Sequence, residues 1–188
     1  MQAGGAAARS AAEAATGCLR DGTPYLLRPL DNSQREALVE GFGRLSAESR
    51  YRRFLAPMPR LSARMLHRLV DHVDGVNHVA TMLVVRPGAA DEEPVAIARF
   101  IRESAHPERA EYAITVVDEW QGRGAGSMLS DGLVRRALEL GVRMFTASVH
   151  AENAASLRLL GRAGEVVERR SEGPGVLAVT VALRAPAG

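Results

Sequence analysis

The stretch Gln121-Gly122-Arg123-Gly124-Ala125-Gly126 puts three glycines into five positions, where the β-branched run Thr115-Val116-Val117 gives way to a helical pattern. Without Cβ atoms in the way, the backbone N–H groups of such a loop can turn toward one point. Together with the positive end of a helix starting near Gly124, those donors form a cradle for a pyrophosphate. Arg123 can add a charge to the phosphate region, and Ser127 follows directly. Glycines also make ordinary turns; the strand-loop-helix setting is what favours anion binding here. A dinucleotide loop calls for Gly-x-Gly-x-x-Gly opening a βαβ unit, with an acid about 20 residues further on. In this chain the next strand closes on Val149-His150 without an acid, and the preceding strands look antiparallel. The dinucleotide reading is therefore weak.

Other chemistries are excluded by what is missing. All 24 basic side chains are arginine, so every reaction that needs a lysine amine is ruled out. That removes the Gly-Lys-Ser/Thr phosphate loop, pyridoxal and aldolase Schiff bases, the kinase strand lysine and the Ser-x-x-Lys hydrolases. Codon bias toward arginine is the plain origin of this composition. The lone Cys18 excludes a disulfide framework and a cysteine zinc site. His67, His72, His78, His106 and His150 show no His-Glu-x-x-His spacing, so no metal is expected. A net charge of +2 is too small to argue for a nucleic-acid partner. No apolar run is long enough to span a membrane, and the first 17 residues lack the core of a signal peptide; a cytoplasmic location is expected.

The elements that must position this loop can be read from periodicity. Residues 1–22 offer almost nothing to bury and read as a flexible Ala/Gly-rich tail. Pro24 to Leu30 is a strand candidate. Asp31, Ser46 and Ser62 then fit the N-caps of three successive helices, the second running to Phe54 before Pro57 and Pro59 stop it. Three strands follow, at Val79–Val85, Val95–Ile101 and Arg109–Val117. In the last of these, Glu111, Ala113, Thr115 and Val117 share one face, and Tyr112, Ile114 and Val116 the other. Leu129, Leu133, Ala137 and Leu140 recur at helical spacing, with Asp131, Arg135 and Glu139 off that stripe. A strand at Met144–Val149, a helix capped by Asn153, and strands at Glu165–Arg170 and Val176–Leu183 complete the chain. This order predicts one α+β domain, a mixed and mostly antiparallel sheet flanked by helices, over residues 23–184.

The arrangement resembles the GCN5-related N-acetyltransferase (GNAT) superfamily, whose Gln/Arg-x-x-Gly-x-Gly/Ala signature reads here as Gln121 to Gly126. The resemblance covers roughly Pro24 to Leu183 and implies that acetyl-CoA is the acetyl-donor substrate, with no metal. It implies that the backbone of Val116 and Val117 holds the pantetheine arm and thioester carbonyl. It further implies that Gln121, Gly122, Arg123, Gly124, Ala125, Gly126 and Ser127 bind the pyrophosphate. Asn153 matches the family asparagine that contacts CoA, with Ser156 nearby, and Asn153 reads equally well as a helix N-cap. Glu111 is the expected general base, taking a proton from the acceptor amine directly or through one water. Many members carry a tyrosine in the last helix that protonates the departing thiolate; Leu157-Arg158-Leu159-Leu160-Gly161 has none, and no general acid is assigned.

Leu45 to Phe54, together with Ala110-Glu111 ahead of Val117 to Gly124, resembles the bacterial Pat-type protein lysine acetyltransferases. The expected reaction is thus acetyl transfer from acetyl-CoA to a primary amine, foremost a protein lysine. A small-molecule amine acetyltransferase and a catalytically silent acyl-CoA-binding module are the alternatives, and a homodimer is one expectation for assembly. Arg35 to Arg68 holds eight arginines against Glu36, Glu40 and Glu48, which reads either as a solvated helix face or as a surface for an acidic partner or the CoA 3′-phosphate.

Overall fold

The computed structural model describes residues 15–186. Its strands are β1 (Thr16–Cys18), β2 (Pro24–Pro29), β3 (His78–Val85), β4 (Glu93–Arg102), β5 (Arg109–Val116), β6 (Met144–His150), β7 (Gly164–Gly173) and β8 (Val176–Leu183). Its helices are α1 (Arg35–Gly43), α2 (Ala47–Phe54), α3 (Ala63–Leu66), α4 (Ala125–Glu139) and α5 (Ala154–Ala163). The strands form one sheet in the order β1-β2-β3-β4-β5-β6-β8-β7, antiparallel at every step except β5–β6. The mixed, mostly antiparallel α+β domain expected from the periodicity is the fold observed.

Local chemistry explains the helix starts. Asp31 and Gln34 form a reciprocal capping box ahead of α1, the Asp31 carboxylate accepting from Ser33 N and Gln34 Oε1 from Asp31 N. Ser46, Ser62 and Asn153 accept from Ser49, Met65 and Ser156 backbone N–H groups at the starts of α2, α3 and α5. One span needs correction. Residues 15–22 were expected in the tail, but Thr16–Cys18 pairs with β2 and Leu19 is buried. The strand forms because β2 offers an open edge, a tertiary cause without local periodicity. Residues 1–14 of the expected tail lie outside the described residues.

A large core lies between the sheet and α4 and α5, built on Phe100, Phe145, Leu129, Leu133 and Leu160. Tyr112 stacks on Phe145 there, ring centroids 5.0 Å apart. On the opposite face Leu30, Val70, Ala80 and Met82 pack with Leu38 and Val73. Asp131, off the apolar stripe of α4, is buried all the same and accepts from Arg162 Nε (2.9 Å) and Nη2 (2.6 Å). Its face meets α5 rather than water, and the bidentate guanidinium offsets the loss of hydration.

The feature that positions the site is a splay. β5 and β6 pair only through Arg109–Met144, Ala110–Phe145 and Glu111–Thr146, although both strands continue beyond. Past Glu111 the β6-facing edge of β5 is therefore left without a strand partner.

Candidate active site

The glycine loop sits at the open end of that splay. Gly122 and Gly124 hold φ of 76° and 98°, left-handed values that favour glycine. Gly124 is the N-cap of α4 and carries no capping side chain, so the first N–H groups of this 15-residue helix lack partners within it. They open on a groove of about 360 Å³ lined by Val116, Gln121, Gly122, Gly124, Gly126, Ser127, Asn153 and Ser156 from the expected set. Arg20 and Arg158 add positive charge along the same walls, which also hold Arg162, paired with Asp131. Uncapped donors, a backbone freed of Cβ atoms and flanking guanidinium groups fit a diphosphate-bearing ligand.

Three expected cofactor residues are absent from the groove lining. Ala125, the first residue of α4, is fully buried. Arg123 turns outward, stacking over the Trp120 ring at 4.7 Å and pairing with Asp21 at 3.4 Å. Arg20, assigned from sequence to the tail, lines the groove in its stead: its N–H donates to Arg123 O (3.3 Å) and its side chain lies against Gly124. Val117 is buried and its N–H donates to Val95 O at 2.9 Å. In an antiparallel ladder, successive backbone groups alternate sides. With the 117 amide aimed at β4, those of Val116 and Ile114 face the splay, and Val116 O accepts there from Gln121 Nε2 (3.1 Å). The amide available to a thioester carbonyl is thus that of Val116.

Glu111 belongs to the last β5–β6 pair, at the point where the strands part, and lines a cavity of about 250 Å³ that shares Arg52, Arg53, Ile114 and Ser156 with the groove. The remaining walls include Phe54, Leu55, Arg68, Ala113, Ala147 and Leu160. Glu111 is exposed and forms no ion pair among the described residues; its charge reaches Arg53, whose guanidinium is lowered below the usual arginine range by burial and by Arg68, with Glu111 opposing. Tyr112 points away, as its strand position predicts. It is buried, donates to Ser130 Oγ (3.1 Å), and burial pushes its phenol up.

A second set of contacts ties the two cavities together. Asp118 accepts from Ser46 N (3.0 Å), Ser46 Oγ (2.8 Å) and Ser49 Oγ (2.8 Å), fixing the start of α2 to the loop after β5. Partial burial pushes the Asp118 carboxyl up, but these donors hold it below its ordinary value. Gln121 Nε2 also reaches Ser49 Oγ at 3.3 Å, so its side chain braces the groove wall. Asp118, Ser46 and Ser49 carried no sequence signal beyond the N-cap pattern of Ser46.

The acetyltransferase (GNAT) domain family model matches residues 25–166. The chain belongs to the GNAT acetyltransferase family. It is 36% identical over 155 residues to Acetyltransferase Pat of Mycolicibacterium smegmatis, which covers 82% of this chain and 45% of that protein. It thus spans less than half of that relative's length. An acetyltransferase of Pseudomonas aeruginosa is 31% identical over 80% of each chain. The GNAT domain of Streptomyces lividans PAT superposes with a TM-score of 0.78 at 35% identity, over 90% of this chain and 97% of that one. No described helix is long and apolar enough to cross a membrane, and no described group of His, Cys, Asp and Glu side chains is arranged to hold a metal ion.

Proposed function

We propose that this GNAT domain acetylates a protein lysine, with Glu111 as general base. The observation that carries the reading is that Glu111 shares a cavity wall, through Ser156, Arg53 and Ile114, with the groove lined by the glycine loop. The thioester supplies an activated acetyl carbon. Glu111 accepts the proton from the protonated amine, directly or through one water, so that the nitrogen lone pair is free to attack. The Val116 N–H donates to the carbonyl oxygen as it gains charge. The new C–N bond forms as the C–S bond breaks, and the thiolate leaves along the groove lined by Ser156 and Asn153. With Tyr112 facing the core, the excess proton on the newly bonded nitrogen passes through solvent, or by relay through the Ser156 hydroxyl, to the departing thiolate, and Glu111 releases its own proton to solvent. The uncapped start of α4, with Arg20 and Arg158, holds the diphosphate. The Pat-type resemblance of residues 45–54 and 110–124 supports a lysine acceptor.

Two measurements test this. Acetyl-CoA should raise the melting temperature, as any ligand binding only the native state does; no shift would sink the reading. Release of CoA thiol against a panel of proteins, lysine peptides and small amines should then depend on Glu111. Glu111→Gln is expected to lower kcat by about 10²–10⁴ while keeping the acetyl-CoA stabilisation. A silent binding module would show that stabilisation and no turnover in either form.

A further inference from the structure

Arg53, Arg68 and Arg99 gather on the acceptor side of the splay, and among the described residues none of them forms an ion pair. Arg99 is 4% exposed, on β4 directly across from Ala113 of β5. Its Nη1 donates to Leu69 O (2.8 Å) and to His78 Nε2 (3.1 Å), both neutral acceptors. His78 is neutral because burial, then the adjacent Arg99, push it down to about 4. Burial, then Arg53 and Arg68, lower Arg99 to about 9, which still leaves it a cation at neutral pH. The Leu69 carbonyl belongs to the π turn His67–Asp71 that continues α3 and carries Arg68. Such turns recur at functional sites because they re-aim a side chain without ending the helix.

Arg53 connects these pieces. It lines the groove, the Glu111 cavity and a chamber of about 60 Å³ behind it, whose wall holds Arg99. Of these three guanidinium groups, Arg53 feels the carboxylate of Glu111, while Arg99 feels only the like charges of Arg53 and Arg68. Arg99 is buried, Arg53 half-buried and Arg68 exposed, so the cost of holding a cation without a counter-ion falls on the first two, and an incoming cationic amine adds to the repulsion. The positive field does lower the acceptor's own pKa, which helps Glu111 remove the proton, but only after the amine has entered. An anion carried in with the amine removes both difficulties.

Resting on the acetyl-transfer reading above, we propose that the acceptor carries a carboxylate beside its amine, held by Arg53 and Arg68 with Arg99 behind them. Two sources share that chemistry: an acidic side chain flanking a target lysine, and the α-carboxylate of a free amino acid. CoA release would be followed with two matched pairs: lysine peptides with Asp/Glu or with Asn/Gln flanks, and L-leucine or L-leucinamide. The carboxylated member of one pair is expected to react with at least about tenfold higher kcat/KM, mostly through KM. Which pair shows the difference identifies the source. Arg68→Gln should bring the two members within about twofold of each other. Binding without turnover is read by calorimetry, on the same peptide pair and on N-acetyl-L-leucine against N-acetyl-L-leucinamide. A carboxylate preference is expected in one pair, and its loss in Arg68→Gln and Arg99→Met.

Equal reaction and equal binding of the matched members would overturn the proposal. So would an Arg68→Gln variant that slows both members alike, which would assign the cluster to the thioester. A changed preference between acetyl-CoA and succinyl-CoA with acceptor preference intact would also overturn it, by assigning the anion to the donor. If acetyl-CoA neither binds nor turns over, the acetyl-transfer reading fails, and the calorimetric pairs still decide whether the cluster holds a carboxylate.

Discussion

Gly124 and Arg20 form a unit at the groove's mouth, one supplying conformation and the other charge. At Gly124 the φ of 98° is unfavourable to any side chain, and a Cβ would sit 3.4 Å from Arg20 Cγ. Gly124→Ala therefore carries a left-handed penalty of about 1–2 kcal/mol and brings a methyl group into contact with the arginine stem. Acetyl-CoA affinity is expected to fall roughly tenfold or more, measured by calorimetry, with Arg20→Gln giving a smaller loss that shrinks at high salt. An unchanged Kd in both variants would place the diphosphate away from this loop. Much of this unit was legible before the fold was known, since glycine spacing at a strand-to-helix junction has a direct physical meaning. Arg20 was not, because its approach depends on a strand that forms only against β2. Arg123 misled for a related reason: a charge inside the motif predicts proximity, whereas its direction was set by the Trp120 ring and Asp21.

Among the elements, α2 matters most, because it delivers Arg52 and Arg53 to both cavities and is held at its start by Asp118. Asp118→Ala removes the acceptor for Ser46 and Ser49 while leaving the Ser46 cap itself. The carboxylate is exposed, so the stability loss should be modest, about 1–2 kcal/mol. The sharper readout is hydrogen exchange: the α2 amides are expected to lose protection while those of α4 keep theirs. KM for the acceptor should rise more than KM for acetyl-CoA. Protection lost evenly across the domain would show that Asp118 acts on global stability alone. The arginine run from Arg35 to Arg68 divides along the same lines. Arg35, Arg44 and Arg52 pair with Asp71, Glu93 and Glu119, and Glu48 respectively, and Arg50 caps carbonyls of Gly43 and Pro59. Arg53 and Arg68 reach the acceptor cavity. Helix limits were readable because Asp31, Ser46, Ser62 and Asn153 are caps with local chemistry. The splay was not readable, because where β5 and β6 part is decided by long-range pairing rather than by either strand's own residues.

At the scale of the whole molecule, the cations and neutral bases enclosed under the α1–α3 layer couple folding to pH. His78 is 5% exposed and held near pKa 4, with Arg99 and His72 opposing its protonation and Asp74 favouring it. In the unfolded chain its pKa returns to the ordinary 6.5, so below that value the unfolded state binds more protons. Stability must then fall as pH drops through 6.5 toward 4, and the loss from this group is complete once the folded histidine is itself protonated. By pH 5 it amounts to about 2 kcal/mol. The carboxylates of Asp74 and Asp118, both lowered in the fold, contribute further losses in the more acidic range. His78→Gln isolates the histidine, because the glutamine oxygen can still accept from Arg99 but does not titrate in this window. Urea midpoints at pH 7 and pH 5 should therefore differ more in the parent protein than in the variant. Equal acid sensitivity in His78→Gln and the parent would mean that His78 is already charged in the native state. In that case Arg99 would have a cation as its nearest neighbour, and its hydrogen bond to Nε2 could not exist.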